Sequence, residues 1–194
     1  MNRPRQPKPF DPRKAARLDD PARERWLPSS VIVALLRPRA GERVLDYGTG
    51  TARYAIAVAR RHPEVSVVAY DVSEEMLAIA RTRVRDAGLH NVAVAGPESS
   101  DLHPRWFDRI LAANVLHEIG MEDLRRLGSL LRIEGFALVI DWDATVARDV
   151  GPPPEHVYSP DEALERLRDA GFSAEIVVEP AFPYHYVLRA RASN

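Results

Sequence analysis

Cysteine is absent from the 194 residues. That excludes disulfides, thiolate nucleophiles and zinc–cysteine sites together. Lysine is scarce as well: Lys8 and Lys14 are the only two, and arginine carries the rest of the positive charge. An arginine-rich surface by itself names no partner and reads as genome composition or thermal adaptation. Neither sign of charge prevails, since 27 basic and 28 acidic residues leave a formal net charge of −1. Nothing in that balance marks a nucleic-acid or anionic-membrane binder. No early segment is apolar enough for a signal peptide or a membrane span, so the cytoplasm is the expected compartment.

What is present is a hydrophobic fraction of 45%, ordinary for a globular chain, and a length that suits one domain with a sizeable core. Residues 1–14 hold Pro4, Pro7, Pro9 and Pro12 among basic side chains, with Asp11 the only acid. Residues 1–9 are therefore expected to be a solvated tail. Asp20-Pro21 reads as an N-cap followed by proline at the first helical position, and Pro28 opens a second helix, Ser29 to Leu36. Strands and helices then alternate. Val44–Tyr47, Val65–Tyr70, Val92–Ala95, Phe107–Ala112 and Phe136–Ile140 read as strands. Ala52–Arg61, the segment from Ser73 to Gly88, and Glu122–Leu131 read as the helices between them. Ser159-Pro160-Asp161-Glu162 is a capping box with proline at N1, which predicts a helix from Pro160 to Ala170. Ile176–Val178 and Tyr184–Leu188 are expected as a closing antiparallel pair around Pro180–Pro183. The alternation predicts an α/β three-layer sandwich: a doubly wound, mostly parallel sheet with helices on both faces.

Between Arg43 and Tyr54 a short apolar strand ends in Asp46 and opens through Gly48 and Gly50 into a helix. Glycine there lets the backbone turn sharply and lets a ligand reach main-chain N–H groups. Open α/β sheets bind nucleotide-like ligands at such a loop. A dinucleotide fingerprint would need glycine at position 53, where this chain has Arg53. A carboxylate before the loop suits a ligand with positive charge and no phosphates, such as S-adenosylmethionine.

The stretch resembles motif I of class I S-adenosylmethionine-dependent methyltransferases, with Asp46, Gly48 and Gly50 in place and Ala52 where a third glycine is usual. The likeness runs from about Phe10 to the C-terminus and is nearest to small ubiquinone/menaquinone-methyltransferase-like enzymes of the type 11 group. It implies a Rossmann-like sheet, S-adenosylmethionine as cofactor, S-adenosylhomocysteine as product and a small-molecule acceptor; it does not name the acceptor. A nicotinamide-binding oxidoreductase-like domain and a non-catalytic adenosyl-ligand sensor stand as alternatives.

The resemblance also assigns site residues. Asp46, Tyr47, Gly48 and Gly50 form the cofactor loop. Asp71, about 20 residues beyond the glycines, is placed to accept both ribose hydroxyls, or else only caps the helix after Ser73. Val72 and Met76 fall where the adenine lies, Met76 being equally readable as core. Glu98, ahead of Ser99, is the candidate for the adenine amino group, because Pro97 occupies the usual acid position. Asn114 stands between cofactor and acceptor. His117 is the candidate general base and acceptor contact, or a backbone-bonded histidine. Trp142, at the end of the fifth strand, is a further acceptor contact. The stiff Gly151-Pro152-Pro153-Pro154 arm either presents His156 and Tyr158 to the acceptor or simply connects. No spacing of histidines and acids supports a bound metal. The segment from Phe10 to Trp26 is expected to close the cofactor mouth as a lid, within an N-terminal helical cap of residues 10–36.

Overall fold

A computed structural model of the chain describes residues 11–179 and 182–193. The expected tail and Phe10 lie outside the described residues. Asp11 and Asp20 each cap a short 3-10 segment, Pro12–Asp19 and Pro21–Arg25, by accepting the N–H of Arg13 and of Ala22. Here the expected α-helix after Pro21 is corrected. A five-residue stretch starting at proline closes on i→i+3 bonds, and it has no length in which to propagate an α-helix.

Helix α1 (Ser29–Leu36) leads into β1 (Arg43–Tyr47), α2 (Arg53–Arg61), β2 (Ser66–Tyr70), α3 (Glu74–Asp86) and β3 (Val92–Ala95). After these come β4 (Phe107–Ala113), α4 (Met121–Leu130), β5 (Leu131–Trp142), α5 (Pro160–Asp169), β6 (Phe172–Ile176) and β7 (His185–Ala192). The strands form one sheet in the order β3-β2-β1-β4-β5-β7-β6. All pairs from β3 to β5 are parallel, and β7 runs antiparallel to both β5 and β6.

Alternate strand residues feed two cores. On one face Val44, Val67, Leu111 and Leu138 pack with Ile32 and Leu36 of α1 and with Ala55 and Val58 of α2. On the other, Leu45, Ile110, Ala137 and Val139 pack with Leu124 and Leu127 of α4 and with Ala163 and Leu167 of α5. Each face buries a full apolar layer. This is the three-layer, Rossmann-like sandwich that the alternation of elements predicted.

Two strands depart from the sequence reading. β5 starts at Leu131, five residues earlier than expected, because it follows α4 with no intervening turn. β6 is Phe172–Ile176 rather than 176–178. It is the edge strand, only Phe172 in it is buried, and an edge strand with one buried residue carries little apolar pattern to read. The expected turn at Pro180–Pro183 falls partly outside the described residues.

Candidate active site

The C-terminal ends of β1, β2, β4 and β5 meet at one edge of the sheet, and the loops leaving them collect most of the residues singled out in the sequence. Gly48 has φ +71° and Gly50 φ +54°. A Cβ at Gly48 would sit 2.5 Å from a methyl of Val115, so the backbone passes closer to the β4 loop than any side chain permits. Ala52 adopts φ +60° and still starts α2. Asp46 is 3% exposed. It accepts the Thr49 hydroxyl at 2.6 Å and the Ala55 N–H at 3.0 Å, and so ties the loop to the helix behind it. Burial raises its pKa to about 6, opposed by those two bonds and helped by the charge of Asp71. The carboxylate expected to face a cationic ligand is therefore turned inward as a brace. Tyr47 is also buried, its ring tilted against that of Tyr70 with centroids 5.0 Å apart.

Asp71 joins two loops. One of its oxygens accepts the Gly50 N–H at 2.8 Å and the other the Ser73 N–H at 2.9 Å. Each carboxylate oxygen keeps a second lone pair, so capping and ligand binding are compatible in one residue. Val72 beside it is 67% exposed, a bare apolar surface at the edge, whereas Met76 is 3% exposed and offers a ligand almost nothing. Glu98 is exposed at the turn after β3, and Ser99 is engaged within that turn with Asp101.

Asn114 is the most telling residue. Its backbone has φ +60° and its N–H donates to Ile140 at 2.7 Å. Both its amide nitrogen and its amide oxygen are buried with no hydrogen-bond partner. An unmade bond of this kind costs about 1–3 kcal/mol, and left-handed backbone at a residue other than glycine adds strain of the kind functional sites hold.

Three residues on, His117 and Asp141 form a pair that sequence reading did not join. Asp141 Oδ1 lies 2.7 Å from His117 Nδ1, and Asp141 Oδ2 accepts the His117 N–H at 3.0 Å. Asp141 is wholly buried. Burial alone would lower the His117 pKa. The charge and hydrogen bond of Asp141, with the Glu118 carboxylate 3.5 Å from Nε2, outweigh it and raise the pKa.

Trp142 does not stand open to an acceptor. It is 5% exposed, and its ring contacts Trp26 at 5.2 Å and His185 at 4.2 Å, with the Arg148 guanidinium over it and the Gly151 backbone against it. In this structure the ring is a packing element at the end of β5. His185 stacks nearly parallel on Trp26 at 5.5 Å; both its ring nitrogens are buried without partners, and burial drives its pKa down to about 3. His156 is exposed on the proline arm, at the end of a 3-10 turn over Pro154–His156. Tyr158 is half-buried beneath the Arg166 guanidinium.

The N-terminal segment reaches this edge. Leu18 lies 3.1 Å from where a Gly50 Cβ would be, the Thr51 hydroxyl donates to Asp19, and Arg83 of α3 pairs with Asp19. Arg53, noted in the sequence only for not being glycine, donates to Leu18 O at 3.2 Å and to Glu24 at 2.6 Å. The 29-residue separation between Arg53 and Glu24 hides that clamp from any local pattern.

Comparison with known proteins follows the same lines. Residues 44–135 match the family described as "Methyltransferase domain". The solved structure of an S-adenosylmethionine-dependent methyltransferase from Aquifex aeolicus is 32% identical, with a TM-score of 0.85 over 94% of this chain and 98% of that one. The chain belongs to the class I S-adenosylmethionine-dependent methyltransferases. A ubiquinone/menaquinone biosynthesis C-methyltransferase from Bordetella parapertussis is 32% identical over 131 residues, 66% of this chain and 50% of that protein. A demethylmenaquinone methyltransferase from Listeria monocytogenes is 33% identical over 112 residues, 55% of this chain and 47% of that one. The chain thus spans about half the length of the curated relatives it matches. Membership makes S-adenosylmethionine the cofactor and sets the nicotinamide alternative aside. The cofactor's chemistry suits the edge: a glycine loop too tight for a side chain, a carboxylate beside it, and an amide with unspent donors and acceptor. Among the described residues no helix is long and apolar enough to cross a membrane, and no cluster of histidines and acids has a metal-binding arrangement.

Proposed function

We propose that this methyltransferase transfers a methyl group to a small-molecule acceptor held between Asn114 and His117. The observation that carries this reading is Asn114, a buried amide with no partner, beside a histidine held by a buried aspartate. Asp71 takes the ribose hydroxyls, the Gly48–Gly50 loop lets the ligand approach the backbone, and the exposed Val72 gives the adenine an apolar face. Glu98 and Ser99 stand nearest the far end of that adenine. Asn114 uses its amide to fix the donor end, which relieves its own desolvation cost.

Bound S-adenosylmethionine supplies an already activated methyl group, so the protein's work is alignment and exclusion of water. The Asp141 carboxylate fixes the His117 tautomer with the proton on Nδ1, leaving Nε2 to accept a proton from an acceptor hydroxyl or carbon acid. This happens only above the raised His117 pKa. The segment from Asp11 to Trp26 acts as the cover, latched by Arg53 on one side and by the Trp26–Trp142–His185 stack on the other. The names of the Bordetella and Listeria relatives support a small organic acceptor; His156 and Tyr158, on the arm leading into α5, are the side chains left to meet it. The cytoplasm is the compartment in which we place the reaction.

Titration calorimetry with S-adenosylhomocysteine and with NAD(P) tests the cofactor site; binding to the nicotinamide alone would end the reading. Turnover of labelled S-adenosylmethionine across a panel of phenols, quinols and naphthols tests the reaction. Tight binding without turnover of any acceptor would favour a sensor over an enzyme.

A further inference from the structure

The opposite edge of the sheet holds a second feature that methyl transfer does not use. A groove of about 1070 Å³ opens where β1, β4 and β5 begin and β7 ends. Seven arginines and three carboxylates line it, a surplus of four positive charges on a chain whose formal net charge is −1. Two of the carboxylates are already committed. Glu42 pairs with Arg109 at 3.0 Å and accepts the Arg39 N–H, while Asp108 accepts the Arg43 N–H and pairs with Arg132 at 3.0 Å.

The arginines are assembled rather than scattered. Arg109, Arg189 and Arg191 set their guanidinium groups over the one ring of Phe136, at 4.7, 5.0 and 5.9 Å from its centroid. Such stacking partly offsets like-charge repulsion and fixes planar forks that would otherwise be mobile. Arg109 is 8% exposed, and its Nε is buried without a partner. Of the four non-glycine residues with positive φ among the described residues, two are Arg37 and Arg105, at +46° and +52°, and both line this groove. Arg37 is the left-handed C-cap of α1, and this cap aims a further cation at the groove with no acid among the described residues paired to it.

We infer that this groove is a second binding site, for a small anion bearing two or more phosphate groups. Arginine forks match phosphate oxygens in pairs, and the volume is of the size that takes a small molecule. The charges line a concavity, whereas a duplex or a bilayer is met by an extended basic face. The site lies at the other end of the strands from the glycine loop, so its occupancy leaves the cofactor edge open.

Calorimetry of the full chain with inorganic tripolyphosphate at low ionic strength tests this. One site per chain is expected, with orthophosphate at least tenfold weaker. Arg39 and Arg105 are exposed on the groove wall, so Arg39→Gln with Arg105→Gln should leave the fold intact and weaken tripolyphosphate at least tenfold, with S-adenosylhomocysteine affinity unchanged. No heat of binding, or equal affinity in the double variant, would overturn the assignment. A short DNA duplex that binds more tightly than tripolyphosphate and loses affinity in the same variant would replace it with a nucleic-acid site.

Discussion

The two ends of this sheet handle polar groups in opposite ways. At the carboxyl ends of the parallel strands the polar groups are few, buried and individually placed: Asp46 braces, Asp71 joins two loops, Asn114 waits unpaired, and Asp141 holds His117. At the amino ends they are many and mostly of one sign, with arginines in surplus over carboxylates and three of them stacked on Phe136. The first end is organised by backbone geometry and the second by side-chain charge. A change of one atom should therefore matter at the first end, while the second should respond to salt and to the number of charges.

The sharpest way to break that contrast is Gly48→Val. A branched side chain at φ +71° that collides with Val115 should cost at least about 3 kcal/mol through strain and overpacking. It should abolish S-adenosylhomocysteine binding by calorimetry while circular dichroism still shows an α/β fold; retained affinity would mean the loop is not where the ligand meets the backbone.

Next in size is Asp71→Ala, which removes a joint between two loops as well as the proposed ribose contact. Affinity should fall by about 1–3 kcal/mol, the scale of lost charge-assisted hydrogen bonds. If affinity holds while thermal stability drops, Asp71 is a joint only.

Protonation gives a third test. With its pKa raised above the ordinary histidine value, His117 becomes a base only at pH above that raised pKa, so turnover should rise with pH through it. Asp141→Asn removes the charge that opposes burial, so the rising limb should move to lower pH even as the rate falls. The stability that the Asp141 charge lends to protonated His117 is fully present below pH 6.5 and is lost as pH climbs through the raised pKa. His185 has the opposite sign. Its depressed pKa favours the fold at pH above 6.5, and that contribution is lost as pH falls toward 3. His185→Phe should therefore flatten the acid limb of a thermal-melting profile. Comparison with the parent chain at each pH cancels the contrary titration of Asp46. An unchanged acid limb would mean the ring is not held neutral.

The smallest effect expected is kinetic. Saturating S-adenosylhomocysteine should slow trypsin cleavage between Arg13 and Arg25, and Trp26→Ala should restore the faster rate. An identical rate with and without ligand would show that the segment covers the sheet but not the ligand.

What could be read from the sequence divides along the same line as the two ends. The glycine loop, Asp71 and the Ser159–Glu162 box are local: spacing alone states their geometry, and the Ser159 hydroxyl and Glu162 carboxylate do exchange their bonds across three residues. The inward turn of Asp46 was hidden because its partner Ala55 lies one loop away. The His117–Asp141 pair was hidden because it links the ends of two adjacent parallel strands 24 residues apart in sequence. Trp142 read as open because it ends a strand at the ligand edge, and nothing local says that Trp26 and His185 lie against it. The arginine groove was invisible for the plainest reason. Its members come from four separate stretches of an arginine-rich chain and look like ordinary surface until the sheet brings them together.

The Trp26–Trp142–His185 stack ties the first described helical turns to the end of β5 and the start of the last strand in the sequence. On a ribosome, Trp26 emerges long before either partner exists. Its latch can close only once β7 has been made and inserted between β5 and β6. Until then the rest of the parallel sheet can form with its ligand edge uncovered, since β1 to β4 need nothing from the C-terminus to pair. The mouth is thus finished after the parallel sheet beneath it, and a chain truncated before His185 should keep most of its sheet yet have no means of fastening its cover.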